Sequence, residues 1–216
     1  MNQSILLELQ YLGSVPYYSK FLLHSQIWIE QHEHYRKGSF RNRCHIATAN
    51  GALPLSIPLL KGKHQQAPIR AVKVDNQSNW QQQHWRSIQT AYGNSPFFDY
   101  YAEEIAALYE QPHQYLFDFC WAAHNLLLQL LQLTPSVDFT TSYAIQSPPD
   151  VIDFRHQLLP KNYTHYQDIH YSALPYPQVF EDRQGFLPNL SILDLLFCAG
   201  PEATSLLLQC IKAGNN

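Results

Sequence analysis

At Asn79 the apolar residues change their spacing from two to about 3.6, and that switch limits the fold more than any other feature of the sequence. Upstream, Leu53, Leu55, Ile57 and Leu59 alternate with Pro54, Ser56 and Pro58, and Asn50-Gly51 offers a type I′ turn, so residues 44–60 read as a hairpin. Two prolines on one side of its second arm remove two donors, which makes that arm an edge strand. Downstream, Trp80, His84, Ile88 and Tyr92 recur every four residues until Gly93-Asn94 stops them. Ser95-Pro96 restarts a helix with Phe97, Tyr101, Ile105 and Leu108 on one face, closed by Pro112. The longest helix follows over residues 115–133.

The chain opens with a strand over residues 5–12, a Gly13-Ser14-Val15-Pro16 turn, a short helix ending near His24, and a second strand over residues 27–29. A helix N-terminus leaving the first loop offers free N–H groups to an anion; the same pattern is also an ordinary βαβ corner. Residues 61–66 read as a polar loop and 69–74 as a strand. Later segments read as a strand over 139–146, a short helix over 151–158, a long Tyr/His-rich loop over 160–177 and a short strand at Val179-Phe180. A helix over 190–197 is stopped by Gly200, and a last one opens at Pro201. The expected class is α/β or α+β: a small mixed sheet with a β-hairpin, a helical middle section, and helices at the C-terminus. One domain is expected over 1–216, with a β-rich part (1–75), a helical part (79–133) and a C-terminal part (139–213).

No basic n-region precedes the first apolar run, which Glu8 interrupts, so no signal peptide is expected. Polar residues inside 115–133 make that segment a core helix rather than a membrane span. Cys44, Cys120, Cys198 and Cys210 form no C-x-x-C pair and read as small core hydrophobes, which suits a reducing cytoplasm.

Charge is segregated. Residues 34–74 hold eight Lys or Arg and no Asp or Glu, so that region carries +8 and the remainder −11. The stretch 30–43, after the second strand, concentrates the chemistry. Arg36, Lys37, Arg41 and Arg43, interleaved with Tyr35 and Phe40, suit a phosphate or carboxylate. The acidic balance elsewhere disfavours a nucleic-acid groove, so the expected partner is a small anion such as a nucleotide or nucleotide sugar. His32 or Glu33 is the candidate general base. Tyr17, Tyr35, Lys37, Arg41, Asn42, Arg43, Trp80 and Arg86 are the candidate ligand-binding residues, joined by Asn189, which is placed to cap the last helices, and by Asp194. Asp194 interrupts an apolar helix face and calls for a partner, with an Arg of the basic region the natural candidate. Glu30, His32 and His34 share one side of an extended segment; a solvated loop accounts for them and no metal is expected. No cofactor motif is present, and the sequence leaves the cofactor and oligomeric state open.

Three blocks carry a resemblance. E-Q-H-E-H-Y-x-K-x-S-F-R-N-R-C (30–44), H-W-R-S-I-Q-T-A-Y-G-N-S-P-F-F-D-Y-Y (84–101) and P-Q-V-F…G-F-L-P-N-L-S-I-L-D-L-L-F…G-P-E (177–202) together resemble the WbqC-like protein family. Members carry a first motif like Q-P-x-x-F-P-x-x-G-Y-F; residues 10–18 here lack the Pro after Gln10 and the Gly before the aromatic pair. Some members follow the second strand with D-D-V-x-Y, where this chain has Glu33-His34-Tyr35. The chain thus resembles a variant branch. The resemblance implies a bacterial protein of surface polysaccharide (O-antigen type) biosynthesis, with glycyl or other aminoacyl transfer to a nucleotide-sugar or related precursor. The alternative it leaves is a non-catalytic binding or assembly subunit of a biosynthetic complex.

Overall fold

A computed structural model describes residues 4–60, 67–166 and 168–212. Its centre is a four-stranded sheet of β1 (Ser4–Glu8), β2 (Gln26–Glu30), β5 (Ser136–Phe139) and β6 (Val151–Asp153), in the order β5-β2-β1-β6. Every neighbouring pair is parallel. The β1–β2 crossover runs through helix α1 (Val15–Leu23), the βαβ corner expected from the sequence. Ile5, Leu7, Ile27 and Ile29 are buried in the main core. Strand alternation sends Leu6, Glu8, Trp28 and Glu30 to the opposite face, where register sets Leu6 beside Trp28 and Glu8 beside Glu30.

A separate hairpin pairs β3 (Arg43–Thr48) with β4 (Gly51–Ser56). Three helices follow: α2 (Trp80–Tyr92), α3 (Phe98–Ala107) and α4 (Leu116–Leu130). Trp80, His84, Ile88 and Tyr92 form the buried stripe of α2 that their spacing predicts. After a short α5 (Glu181–Gln184), α6 (Ile192–Ala199) lies with all eight residues buried, and α7 (Ala203–Gln209) follows a 3-10 turn. Residues Ile192–Gln209 are long and apolar enough to cross a membrane by length and composition alone. Here Gly200-Pro201 breaks that stretch in two, and α6 is the innermost helix of the fold. All four cysteines are free and buried, as their core reading requires.

Several expectations are corrected. Residues 69–74 form a 3-10 turn (Ile69–Ala71) and isolated bridges rather than a strand. Residues 151–158 form no helix: Val151–Asp153 is a strand, because β1 offers an open edge and Phe154 N–H continues the ladder to Leu6 O. The strand expected over 139–146 ends at Phe139, since Thr140 is taken by side chains of β2 and its loop. Val179-Phe180 is a turn into α5. The hairpin turn is Ala49-Asn50, with Thr48 opposite Gly51, and positive φ falls on Gly51 instead of a type I′ pair. Leu53, on the outer part of that hairpin, is exposed. The loop expected at 61–66 lies outside the described residues.

Gly200 ends α6 with φ +54, and a Cβ there would stand 2.4 Å from the Phe97 ring. Gly200→Ala should therefore cost about 2–3 kcal/mol, from left-handed backbone strain plus overpacking against a rigid ring. Urea denaturation would read this directly; an unchanged midpoint would mean that Phe97 moves aside freely.

Candidate functional site

Strand β1 is flanked by β2 on one side and β6 on the other, so the connections leaving their carboxyl ends diverge there. In open parallel sheets such a point leaves a crevice that ligands use. The sequence fills this one with charge. Glu8 closes β1, Glu30 closes β2 and Asp153 closes β6. Adjacent carboxylates in a water-poor setting repel strongly, and two guanidiniums answer them.

Arg155 donates from Nη1 to Glu30 Oε2 at 3.0 Å and from Nη2 to Asp153 Oδ2 at 2.6 Å. Its Nη2 also donates to the Ala144 carbonyl, and its plane lies over the Tyr143 ring, 5.0 Å away. Burial works against the Asp153 charge, but the bonds from Arg155 prevail and hold its carboxyl below the ordinary range. Arg41 is 1% exposed and grips Glu33 with two bonds, Nε to Oε1 at 2.6 Å and Nη2 to Oε2 at 2.5 Å. Glu8 Oε2 stands 3.9 Å from Arg41 Nη2 and accepts the His156 backbone N–H at 2.8 Å. Burial pushes the Glu33 carboxyl upward more than Arg41 draws it down. Among the described residues the remaining guanidinium nitrogen, Arg41 Nη1, is buried without a partner, as is Gln10 Oε1.

Two imidazoles border this charged floor, and their partners fix their protons. Arg41 Nη2 lies 3.2 Å from His156 Nδ1. A guanidinium only donates, so Nδ1 accepts and a neutral His156 carries its proton on Nε2. Burial and the Arg41 charge both favour that neutral form. His156 adopts φ +65, a conformation that costs a non-glycine residue about 1 kcal/mol, and its backbone is held there by Glu8. His32 is the mirror case. Its Nε2 is 3.0 Å from the Thr140 carbonyl, which only accepts, so Nε2 holds a proton and the lone pair of the neutral ring lies on Nδ1. His32 is exposed, and its backbone N–H donates to Glu30 Oε1.

The sequence candidates divide. Glu33 and Arg41 meet, but each is turned toward the other. Tyr17 is buried in the first turn of α1, near enough to Glu8 for that charge to raise its phenol after burial. Tyr35 donates to Asn42, whose Nδ2 donates to Ile57 O, tying the loop to the hairpin. Arg43 donates to Ser56 within the hairpin. Lys37 and Arg86 are exposed. Trp80 stands among the rings of His84, Tyr109 and Phe119. Asn189 caps no helix; Ser191 does, while Asn189 bonds Tyr163 O and the Tyr171 hydroxyl. Asp194 pairs with no arginine: Oδ2 accepts from the Tyr176 hydroxyl and Gln178 Nε2, each at 2.7 Å, because neutral donors suffice inside α6. Nor is the start of α1 open to an anion, since Val15 N–H donates to Leu190 O and Ser14 bridges Ser191.

Glu8, Arg155 and His156 were not among the sequence candidates. Glu8 did leave a signal, a lone charge ending an apolar strand, and Glu30 ends the next strand the same way. A second polar group adjoins this site: buried Lys20 on α1 pairs with Asp168, which also accepts from Tyr166, beside a cleft of about 430 Å3 that Asp153 also lines.

The family model described as the WbqC-like protein family matches residues 10–166 and 153–206. An uncharacterised protein of Mycobacterium tuberculosis is 24% identical over 233 residues, spanning 93% of this chain and 92% of the relative. No solved structure matches.

Proposed function

The chain belongs to the WbqC-like protein family, and from that premise we propose that it is a transferase of the glycyl or aminoacyl kind. Its substrate is a nucleotide sugar or related precursor of surface polysaccharide, and its reaction centre is the carboxyl edge of β1, β2 and β6. The observation that supports this is the pairing of opposite imidazole tautomers over one charged floor: a lone pair on His32 Nδ1 and a proton on His156 Nε2. Acyl transfer needs both. The acceptor nitrogen must lose a proton as its bond to the acyl carbon forms, and His32 takes it; when the tetrahedral centre collapses, the bond from the acyl carbon to the donor's leaving heteroatom breaks, and that group departs with the proton His32 returns. The carbonyl oxygen gathers negative charge, and the His156 N–H meets it.

Of the two candidate bases, His32 is preferred because both oxygens of Glu33 already accept from Arg41. The four carboxylates Glu8, Glu30, Glu33 and Asp153 face only two guanidiniums, and that excess suits the ammonium of an aminoacyl group. Arg36, exposed and near enough to lower the His156 proton affinity, is placed for a phosphate.

A thermal-shift screen with nucleotides and nucleotide sugars should find a ligand that raises the melting temperature, since binding only the folded state stabilises it. With that ligand as substrate, His32→Gln and His156→Gln should each lower kcat by about 100-fold or more, with the melting temperature of the free protein little changed. Turnover that survives both substitutions defeats the assignment. A stable protein partner recovered with no turnover on any nucleotide sugar would favour the binding-subunit reading.

A further inference from the structure

The face of the sheet opposite the main core carries a cleft of about 190 Å3. Leu6 and Trp28 form its floor, Thr140, Thr141 and Ser142 lie along its wall, and Glu30 closes the end nearest the candidate site. Trp28 differs from the other three tryptophans. Trp80, Trp85 and Trp121 each pack against at least one aromatic ring. Among the described residues Trp28 has no ring neighbour and its indole N–H has no hydrogen-bond partner, and it is only half-buried. A large flat apolar surface with an unused donor is thus held in a cleft with hydroxyls beside it.

We propose that this cleft seats a pyranose ring, the sugar moiety of the precursor; the assignment rests on the transferase reading above for the place of the reacting group. The chemistry selects the occupant. A pyranose has an apolar C–H face to lie on Trp28 and peripheral hydroxyls to meet Thr141, Ser142 and the indole N–H. A purely aliphatic ligand would bury those polar groups unmatched. A nucleoside diphosphate finds no Lys or Arg in the lining. The volume also lies below the range of about 300–1,000 Å3 usual for larger ligands, and suits one ring. The ring's exit toward Glu30 leads to the carboxyl edge, where His32 and Thr140 bond the same carboxylate.

The test reads the four indole N–H signals of the nitrogen-15-labelled protein. Trp28→Phe identifies the Trp28 signal by its loss. The wild-type protein is then titrated with a hexose, an N-acetylhexosamine, a 6-deoxyhexose, the same sugars linked to a nucleoside diphosphate, and the nucleoside diphosphate alone. The Trp28 signal should move with at least one free sugar and with its linked form, and stay still with the nucleoside diphosphate. Trp28→Leu should weaken binding of the linked form about tenfold, while Trp28→Phe largely retains it. Movement with the nucleoside diphosphate alone, or no movement with any sugar, overturns the proposal. A linked sugar that raises the melting temperature without moving Trp28 overturns it too, yet leaves the transferase reading standing. Movement of Trp28 by a sugar, with turnover indifferent to His32 and His156, does the reverse.

Discussion

Replacing Arg41 with alanine is expected to destabilise the fold by about 3–5 kcal/mol, the usual cost of orphaning a buried ion pair. Arg41 is completely enclosed, and its loss strands Glu33, whose oxygens have no other hydrogen-bond donor among the described residues, and takes away the cation nearest Glu8. The size of the effect comes from what is left behind rather than from the strength of the pair. Removing both charges together, as in Glu33→Gln with Arg41→Met, should therefore cost less than Arg41→Ala alone. Urea denaturation of the single and double variants measures the difference. Arg86→Ala on the exposed side of α2 is the control, expected within about 0.5 kcal/mol of wild type. If Arg41→Ala behaved like Arg86→Ala, the network would not be holding the carboxyl edge together.

Acidification should produce an effect of similar size. Burial lowers His124 from 6.5 to about 3, and lowers His84 and His45 to about 4. His124 stacks on Trp121 and meets the Tyr18 hydroxyl, His84 meets the Tyr11 hydroxyl, and His45 lies against Tyr163. All three are neutral when folded at pH 7. In the unfolded chain each takes up a proton near pH 6.5, so between that point and pH 3–4 the unfolded state binds more protons. Stability is complete above pH 6.5 and falls as pH drops through this window, by up to about 1.4 kcal/mol per unit for each histidine.

Two carboxyls act in the opposite sense. Burial raises Asp194 and Glu33, so the folded state takes their protons first as pH falls, which returns part of the loss. The net expectation is a loss on the order of 5 kcal/mol between pH 7 and pH 4. Urea midpoints taken at pH 7, 6 and 5 should decline steadily, and His124→Asn should flatten that decline. Midpoints that stay level from pH 7 to 5 would show that these imidazoles protonate without unfolding the chain.

The parts of this fold that were legible in the sequence are those whose signal is local. The β1–α1–β2 corner, the three middle helices and the end of α6 at Gly200 each announce themselves through period, Pro or Gly. What was hidden depends on partners far along the chain. Val151–Asp153 carries two β-branched residues but too few positions to show a period; it is a strand because β1 lies beside it. On a short surface element Asp153 and Arg155 read as an ordinary polar pair, and only the pairing of that strand with β1 brings them and His156 to the carboxyl edge. Likewise the basic run after β2 stands out in the sequence, but Arg41 is spent on Glu33 rather than held open, because a buried charge must find its opposite nearby. Asp194 shows the same rule met with neutral donors instead.

The parallel order β5-β2-β1-β6 also dictates a sequence of assembly in time. Only the β1–β2 pair joins nearby segments; Ser4 must wait for Val151, and Glu30 for Arg155. As the chain is synthesised, the first βαβ unit emerges with two open strand edges and unanswered carboxylates at its carboxyl end. Closing distant pairs is slow, since the entropy of the long loop is lost before any contact repays it. The carboxyl edge and the folding transition therefore share their last event, and a nascent chain stalled short of residue 156 should present the early strands to chaperones with that edge still unassembled.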